Sequence, residues 1–244
     1  MALAGVYKEY NERWCKQTVW IYSDPHFGDA DLAAGTPGRP SADEQVAMIN
    51  SCVGRKDTLI ILGDVGDVEY VRKLRGERKI LICGNHDAGS TNYERQIIKQ
   101  VYDADIWNQD SAIADMRAKY PGWKIRCVED YEFHAPFRRW NIYADNCLFD
   151  EVYEGGLIIG EKLILTHEPV EIPWLFNIHG HDHAGAVRQS HLNVCSDVIG
   201  YKPVNLNQFL KNGPTAKIQS IHRVTIDKAT ERKKKRGGKK YACK

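Results

Sequence analysis

The sequence predicts an α/β protein, and three observations lead to that fold class. The chain has 244 residues, of which 43% are hydrophobic and 27% charged, so it can form a sizeable core beneath an ordinary globular surface. Short apolar runs rich in β-branched residues alternate with segments of helical spacing over the first hundred residues. Several of these runs end at glycine, aspartate, asparagine or histidine. Such alternation indicates helices packed around a sheet.

Strands are predicted where short apolar runs stop at polar turn residues. These runs are 18–22, 58–62, 79–83, 156–159, 162–166, 176–179 and 191–195, with a last strand over 218–226. A helix is predicted behind Ser41, because Ser41 and Glu44 have the spacing of a capping box and apolar residues follow at helical intervals. Further helical patterns cover 68–75 and 93–101.

Residues 103–150 interrupt this regular alternation. The segment combines tryptophans with basic residues and has no clear strand or helix period. We therefore expect one domain over residues 1–229 with an insertion or cap at about 103–150. Residues 230–244 are expected to form a basic, disordered tail.

The formal net charge of +2 conceals an uneven distribution. Residues 228–244 contain nine Lys or Arg and one acid, a net charge of +8. The rest of the chain contains 25 basic and 31 acidic residues, a net charge of −6. A nucleic-acid partner is therefore expected only through the basic tail.

Composition also argues against several classes of protein. No run of about 18 apolar residues is present, so no membrane span is expected. The first residues become charged without an apolar core, which disfavours a secretory signal. The seven cysteines are widely spaced and include no C-x-x-C pair, which argues against a disulfide framework or a zinc knuckle. Reduced thiols and a cytoplasmic location are expected.

Candidate metal ligands follow the predicted strands. Because sites in open α/β sheets form beyond the carboxyl ends of strands, polar residues at several such ends can converge. A single histidine in such a position is usually an ordinary loop residue, but so many together favour a metal site. The candidates are Asp24, His26, Asp64, Asn85, His167, His181 and His183.

The chemistry of these candidates indicates which ions they suit. They supply imidazole, carboxylate and carboxamide groups and no thiolate, a mixture that suits Mn²⁺, with Fe²⁺, Zn²⁺ or Ni²⁺ as alternatives. Seven groups are too many for one tetrahedral ion and suit two divalent ions. Two ions about 3.5–4 Å apart can clamp the attacking and leaving oxygens of a phosphoryl group.

Five motifs, taken in order, resemble those of the calcineurin-like metallophosphoesterase superfamily. They are Asp24-Pro-His26, Gly63-Asp-Val-Gly-Asp67, Gly84-Asn-His-Asp87, Thr166-His167 and Gly180-His-Asp-His183. The resemblance spans residues 18–226, leaves 103–150 uncovered, and points to the small single-domain branch found in bacteria and phages. It implies a two-layer β-sandwich flanked by helices. One departure is Asp29, where the family pattern has a histidine.

The resemblance also implies a role for each matched residue. The ligands of the first ion would be Asp24, His26, Asp64 and His183. Those of the second would be Asp64, Asn85, His167 and His181, with Asp64 bridging. A hydroxide between the ions would attack in line. His86 matches the catalytic histidine, and Asp67 matches the acid that orients it, although a solvated turn residue is the alternative for Asp67.

Substrate contacts are expected outside the metal ligands. The candidates are Arg39, His134, Arg138 and Arg139, together with Trp140 and Tyr143. Arginine can bind phosphate in a bidentate manner, and tryptophan can stack on a base. An exposed basic loop beside a buried tryptophan explains the same residues equally well.

The sequence as a whole predicts a phosphodiesterase or phosphatase acting on nucleotides or another small phosphoester. A nuclease assisted by the basic tail is one alternative, and salt-dependent binding to DNA or RNA would favour it. A non-catalytic scaffold is another, disfavoured because the chain keeps every matched ligand. His179 either supports a ligand or is a buried residue at a strand end.

Overall fold

Residues 17–87, 93, 96–103, 106–132, 138–160, 162–219 and 221–237 are described by a computed structural model of the chain. The described residues form a mixed α/β fold with three sheets and six helices. The chain divides into two compact units. We call residues 1–89 with 151–244 the main unit and residues 90–150 the inserted unit.

The strands confirm the seven apolar runs up to residue 195, with ends that shift by at most two residues. They are β1 (Val19–Tyr22), β2 (Thr58–Ile61), β3 (Arg78–Ile82), β4 (Gln96–Asp103), β5 (Lys124–Glu129), β6 (Arg139–Asn146), β7 (Glu151–Tyr153), β8 (Leu157–Ile159), β9 (Leu163–Leu165), β10 (Phe176–His179), β11 (His191–Asn193) and β12 (Val204–Asn205). The helices are α1 (Ala30–Gly35), α2 (Ala42–Cys52), α3 (Glu69–Lys73), α4 (Ile106–Lys119), α5 (Leu206–Lys211) and α6 (Ile221–Gly237).

The first sheet of the main unit has the strand order β12-β1-β2-β3-β7. β1, β2, β3 and β7 run parallel, and β12 pairs antiparallel with β1. Val19 pairs with Thr58, and Thr58 pairs with Arg78, so the three central strands start in register. Their carboxyl ends therefore open onto the same edge of the sheet.

The second sheet of the main unit has the order β11-β10-β9-β8. β9, β10 and β11 are parallel, while β8 pairs antiparallel with β9. An isolated parallel bridge between Ser23 and Cys195 links the segment after β1 to the segment after β11. The backbone thus connects the two sets of strand ends on which the candidate ligands lie.

One hydrophobic core is shared by the two sheets of the main unit. Ile21, Ile60 and Ile80 contribute from the first sheet, and Leu165 and Ile178 from the second, each at most 1% exposed. Burying an aliphatic side chain of this size stabilises the fold by about 1.5–3 kcal/mol. The sheets therefore hold their loops on a rigid, apolar base.

Helix α2 begins at the capping box that the sequence predicts. Glu44 N donates to Ser41 Oγ at 3.4 Å, and Ser41 N donates to Glu44 Oε2 at 2.8 Å. Both contacts satisfy backbone N–H groups that the first helical turn leaves free. Val46 and Ile49 form the buried side of the helix.

The inserted unit is a three-stranded antiparallel sheet of order β4-β6-β5 with helix α4. Ala112 and Met116 of the helix are buried in one cluster with Ile142 and Ala144 of β6. This small core is separate from that of the main unit.

Two expectations about secondary structure are wrong. Residues 96–103 form a strand rather than the helix expected over 93–101, because they pair with β6 along eight consecutive positions. Such long-range pairing overrides a short apolar pattern that fits both periods. The strand expected over 218–226 is also absent, since Ile221–Gly237 is helical.

Helix α6 extends into the segment expected to be a disordered tail. Residues 230–237 continue the helix, in keeping with the high helix propensity of Glu, Lys and Arg. Residues 238–244 lie outside the described part of the chain.

Five described cysteines are present as thiols and not as disulfides: Cys52, Cys83, Cys127, Cys147 and Cys195. Cys15 and Cys243 lie outside the described residues. Among the helices of the described ranges, none combines the length and the apolar character that a bilayer crossing requires.

Candidate metal centre

The seven candidate ligands lie just beyond the carboxyl ends of five strands of the main unit. Asp24 and His26 follow β1, Asp64 follows β2, Asn85 follows β3, His167 follows β9, and His181 and His183 follow β10. Backbone hydrogen bonds join the first two loops, since Asp24 N donates to Gly63 O at 3.1 Å and His26 N donates to Asp64 O at 3.0 Å. The structure therefore brings these residues together, as the sequence predicts.

Asp64 occupies the centre of the cluster. Its Oδ1 accepts a hydrogen bond from the backbone N–H of His86 at 3.0 Å. Its Oδ2 lies 3.5 Å from Nε2 of His26 on one side and 3.5 Å from Nε2 of His167 on the other. One carboxylate oxygen is thus fixed by the backbone, while the other faces two imidazoles.

The two carboxylate oxygens of Asp24 also differ, since one accepts a backbone hydrogen bond and the other does not. Oδ2 accepts a hydrogen bond from the backbone N–H of His181 at 2.9 Å. Oδ1 is buried and has no hydrogen-bond partner among the described residues. It lies 3.7 Å from Nε2 of His183, which is too far for a hydrogen bond. A buried carboxylate oxygen without a partner is costly unless a cation binds it.

The hydrogen bonds of His167 assign its tautomer. Nδ1 lies 2.7 Å from the carbonyl oxygen of Leu62, which can only accept, so Nδ1 carries the proton. Nε2, on the opposite side of the ring, lies 2.9 Å from Oδ1 of Asn85 and 3.1 Å from Nδ1 of His181. Nitrogen and oxygen atoms that can bind a cation therefore converge at this point.

The positions and chemistry of these side chains fit divalent metal ions. Ligand atoms of Asp24, His26 and His183 all lie within 4.8 Å of one another, and so do those of Asp64, His167 and His181. The donor set is nitrogen and oxygen, which suits first-row divalent metals. The two groups could hold metal ions on either side of Asp64 Oδ2.

The backbone of the cluster is held in an uncommon conformation. Positive φ angles occur at Asp24 (54°), His26 (42°), Asp64 (53°) and His181 (64°). The left-handed region is disfavoured for residues with a Cβ and is often retained at functional sites. Four of the seven candidate ligands are strained in this way, which supports a site rather than ordinary turns.

Asp87 is a residue whose role sequence reasoning missed, although it belongs to the third motif. Its carboxylate is 3% exposed and accepts hydrogen bonds from Asp64 N at 2.7 Å, Val65 N at 3.1 Å and Gly84 N at 2.9 Å. It therefore joins the loop after β2 to the loop after β3. The signal available in the sequence was only its place in Gly84-Asn-His-Asp87.

Asp197 is a second residue that was missed as part of the site. Its Oδ2 accepts hydrogen bonds from Nδ1 of His183 and from Nη1 of Arg39, both at 2.6 Å, and its Oδ1 accepts one from the Tyr201 hydroxyl. Burial opposes ionisation of Asp197, but the hydrogen bonds from Tyr201 and His183 and the charge of Arg39 hold its pKa below the usual value. The proton on Nδ1 leaves Nε2 of His183 free to bind a metal.

Arg39 does not occupy the place expected of a substrate contact. Its side chain is only 2% exposed. Beyond its bond to Asp197, Nη2 donates to the carbonyl oxygens of Asp24 at 3.0 Å and Pro25 at 2.8 Å. A guanidinium buried and engaged in this way supports the first ligand loop and is not presented to a substrate.

His86 lies at the open rim of the cluster. Its side chain is 68% exposed, its Nε2 is 4.0 Å from Oδ2 of Asp64, and its ring packs edge-on against His26 at 5.5 Å. The Asp67 carboxylate instead accepts a hydrogen bond from Glu69 N at 3.0 Å within its own turn. Within the described ranges, no hydrogen bond or ion pair joins Asp67 to His86.

Asp29, the departure from the family pattern, contacts the cluster directly. Its Oδ2 lies 3.5 Å from Nδ1 of His26, and its Oδ1 caps helix α1 by accepting from Leu32 N at 2.9 Å. The Leu32 hydrogen bond lowers the pKa of Asp29. Burial lowers the pKa of His26 and outweighs the opposing effect of the Asp64 and Asp24 carboxylates. His26 is therefore held in the neutral form that binds metals.

His179 is fully buried behind the ligand loop that follows β10. Nδ1 donates to Gly180 O at 2.8 Å, and Nε2 has no partner among the described residues. Its ring packs edge-on against His191 at 5.3 Å. His179 thus lies at the end of a strand, and among the described residues no hydrogen bond or ring contact joins it to a candidate ligand side chain.

The other expected substrate contacts belong to the inserted unit. Arg139 Nε donates to Asp103 Oδ1 at 2.7 Å, and Arg138 Nε lies 3.7 Å from Glu129 Oε1. Tyr143 lies between two cations, 6.0 Å from Lys99 Nζ and 5.7 Å from the Arg126 guanidinium carbon. Another expected contact, His134, lies outside the described residues.

Comparisons with known proteins add little to this picture. No family model matches the sequence, and no curated protein matches it. Among solved structures, the crystal structure of AQ665, a protein of unknown function from Aquifex aeolicus, is similar to this chain with a TM-score of 0.48 and 20% identity. That match covers 80% of this chain and 98% of the other.

Proposed function

We propose that the chain is a metal-dependent phosphoesterase of the calcineurin-like metallophosphoesterase superfamily. The observation that carries the proposal is the position of Asp64, whose Oδ2 lies 3.5 Å from imidazole nitrogens of both His26 and His167. A carboxylate flanked on two sides by metal-binding groups is the arrangement needed for a shared ligand of two ions. The five motifs and their order in the sequence support the same conclusion.

Each ion has its own ligands in this proposal. The first would be held by Asp24, His26, Asp64 and His183, and the second by Asp64, Asn85, His167 and His181. The nitrogen and oxygen donors favour Mn²⁺, with Fe²⁺, Zn²⁺ or Ni²⁺ as alternatives. When bound as a pair, such ions polarise a phosphoryl group and lower the pKa of water.

In this proposal His86 supplies the hydrogen bond or the proton that the reaction requires. It is the exposed imidazole at the rim, and its Nε2 lies 4.0 Å from Asp64 Oδ2. From that position it can donate a hydrogen bond to a phosphoryl oxygen or pass a proton to the leaving oxygen. The bond from His86 N to Asp64 Oδ1 ties its backbone to the central carboxylate. Asp67, engaged in its own turn, would influence His86 only through its charge.

The space beside the second ligand set supports a small substrate. A cavity of about 310 Å³ is lined by Asn85 and His167, with Cys83, Glu154 and Glu168 further along its wall. A volume of that order accommodates a nucleoside-sized group. The two carboxylates can accept hydrogen bonds from sugar hydroxyls and would repel a second phosphate. We therefore favour nucleotides or similar small phosphoesters with a single phosphate at the metal centre.

In this proposal the main unit is the catalytic domain, and residues 90–150 are an insertion within it. The sheets of the main unit carry every proposed ligand at their strand ends. The calcineurin-like form of a two-layer β-sandwich is consistent with the core that its two sheets share.

The test is hydrolysis of bis-p-nitrophenyl phosphate and p-nitrophenyl phosphate by metal-stripped protein refilled with Mn²⁺. Metal-dependent turnover, lost in His86→Ala, is the expected result. A preference for the diester would define a phosphodiesterase, and a preference for the monoester a phosphatase. If two ions bind and neither these esters nor a panel of nucleotides is hydrolysed, the proposed activity is wrong and a binding scaffold remains.

A further inference from the structure

Helix α6 carries a dense group of exposed cations. Lys228, Arg232, Lys233, Lys234 and Lys235 are all exposed. Glu231 is the single acidic residue among residues 228–244, so the positive charge of this segment is almost uncompensated. Residues 228–244 have a net charge of +8, whereas the rest of the chain has a net charge of −6. The positive charge of the chain is therefore concentrated in this segment.

The helix arranges these cations on more than one face. Lys228, Arg232 and Lys235 stand at positions i, i+4 and i+7 and therefore share one face over about 10 Å of helix. Lys233 and Lys234 project elsewhere, since successive residues are turned by about 100°. The cationic end of α6 thus presents charge around its circumference instead of in a single stripe.

These side chains form no ion pair with a described residue, unlike several basic residues of the main unit. Arg39, Lys73 and Arg78 of the same unit form ion pairs with Asp197, Asp43 and Glu151. Across the described ranges, no ion pair involves any of the five α6 cations named above. Their charge is therefore available to a partner rather than used within the fold.

The chemistry of the helix indicates which polyanion it suits. A membrane-surface helix needs an apolar face beside its basic one, and residues 228–235 contain Ala229 as their only apolar side chain. Duplex DNA carries about one negative charge per 1.7 Å of its axis, so several phosphates lie within the length of this segment. Flexible lysines contact phosphates without reading bases.

We propose that helix α6 binds the phosphate backbone of nucleic acid without sequence preference. The inference goes beyond the proposed phosphoesterase activity and does not depend on it, because no α6 residue is a candidate metal ligand. The helix would bind through charge and counterion release alone. The proposed ligand of helix α6 is nucleic acid and not an acidic polypeptide.

The experiment measures fluorescence anisotropy of labelled DNA and RNA, single-stranded and duplex, with the full chain in EDTA. Chelation keeps binding separate from any metal-dependent hydrolysis, so the two proposals fail independently. The test variant is Lys233→Gln/Lys234→Gln/Lys235→Gln, since glutamine preserves helix propensity. The matched control, Arg55→Gln/Lys56→Gln/Lys202→Gln, removes the same charge from exposed positions elsewhere in the main unit.

We expect binding that weakens steeply between about 50 and 200 mM salt. The α6 variant should lower affinity roughly ten-fold or more and flatten the log–log salt slope by about 2.7, which is about 0.9 for each cation on duplex DNA. The control should stay within about two-fold of the parent. Equal losses in both variants, no binding by the parent chain, or equally tight binding of poly-glutamate would each overturn the proposal.

Discussion

Asp197 accepts a hydrogen bond from Nδ1 of His183 at 2.6 Å, while Nε2 of the same ring lies 3.7 Å from the unpartnered Oδ1 of Asp24. The carboxylate thereby fixes the tautomer that directs a lone pair into the cluster. Arg39 also donates to Asp197 and holds the carbonyl oxygens of Asp24 and Pro25. One buried ion pair therefore positions ligands that are about 160 residues apart in the sequence.

Asp197→Asn should weaken binding of one Mn²⁺ by about 10–100-fold, the usual effect of losing a carboxylate that orients a metal-binding histidine. The second ion should be retained, because within the described ranges no hydrogen bond or ion pair joins its candidate ligands Asn85, His167 and His181 to Asp197 or Arg39. Isothermal titration with Mn²⁺ measures both steps. The control is Asp115→Asn, which makes the same substitution at an exposed aspartate of the inserted unit. Unchanged affinity in Asp197→Asn would remove Asp197 from the site.

Asp64→Asn should abolish tight binding of both ions. The amide would replace the oxygen that faces His26 and His167 with a neutral group, and a neutral ligand cannot offset two adjacent dications. Metal content after gel filtration, measured by mass spectrometry, should fall from two ions to fewer than one. Two retained ions with normal turnover would show that Asp64 is not the shared ligand.

His86→Ala should behave differently, because the side chain lies at the rim and not within the donor set. We expect metal content to remain unchanged and turnover to fall by about 10²–10⁴-fold, the range for loss of a general acid. Replacement by asparagine, which keeps a hydrogen-bond donor, should restore part of the rate if stabilisation of the phosphoryl oxygens dominates. Loss of an ion in His86→Ala would place His86 among the ligands.

The site residues that could be predicted from sequence are those that follow the end of a predicted strand. Asp24, Asp64 and His167 each lie within two residues of the end of an apolar run, and parallel pairing brings such positions close together. Asp197 also lies two residues past an apolar run, 191–195, but its bonds to Arg39 and His183 depend on tertiary packing, and Arg39 follows no predicted strand. For the same reason Arg39 looked like a free phosphate-binding cation.

The errors in secondary structure have a related cause. Residues 96–103 contain apolar side chains that satisfy both periods, and only pairing with β6 decides for a strand. The charge of the C-terminal segment predicts a disordered tail, whereas its Lys, Arg and Glu residues are also good helix formers. By contrast, the start of α2 could be predicted because Ser41 and Glu44 form a purely local contact.

The Ser41–Glu44 capping box should make stability depend on pH. The hydrogen bonds from the Ser41 side chain and backbone hold the pKa of Glu44 below its ordinary value of 4.5. A depressed carboxyl pKa contributes stability that is present above the unfolded value and lost as pH falls through the folded one. Ser41→Ala should therefore lower Tm at neutral pH, and the difference from the parent should shrink below about pH 4. A pH-independent difference would assign the effect to the hydroxyl cap alone.

Gly84→Ala should damage the metal centre through packing, without removing any ligand. A Cβ at this position would lie 2.7 Å from Asp64 N and 3.0 Å from Asp64 Cγ, closer than packed side chains allow, so the central carboxylate must shift. Overpacking of this kind costs about 1–3 kcal/mol of folding free energy. Mn²⁺ affinity should fall at both steps, because Asp64 faces both groups of ligands. Gly35→Ala is the matched control, since a Cβ there meets nothing within 4 Å. Thermal unfolding and Mn²⁺ titration of the two variants distinguish a crowded ligand loop from a general intolerance of alanine. Equal Tm and equal Mn²⁺ affinity in both variants would refute the close approach of Gly84 to Asp64.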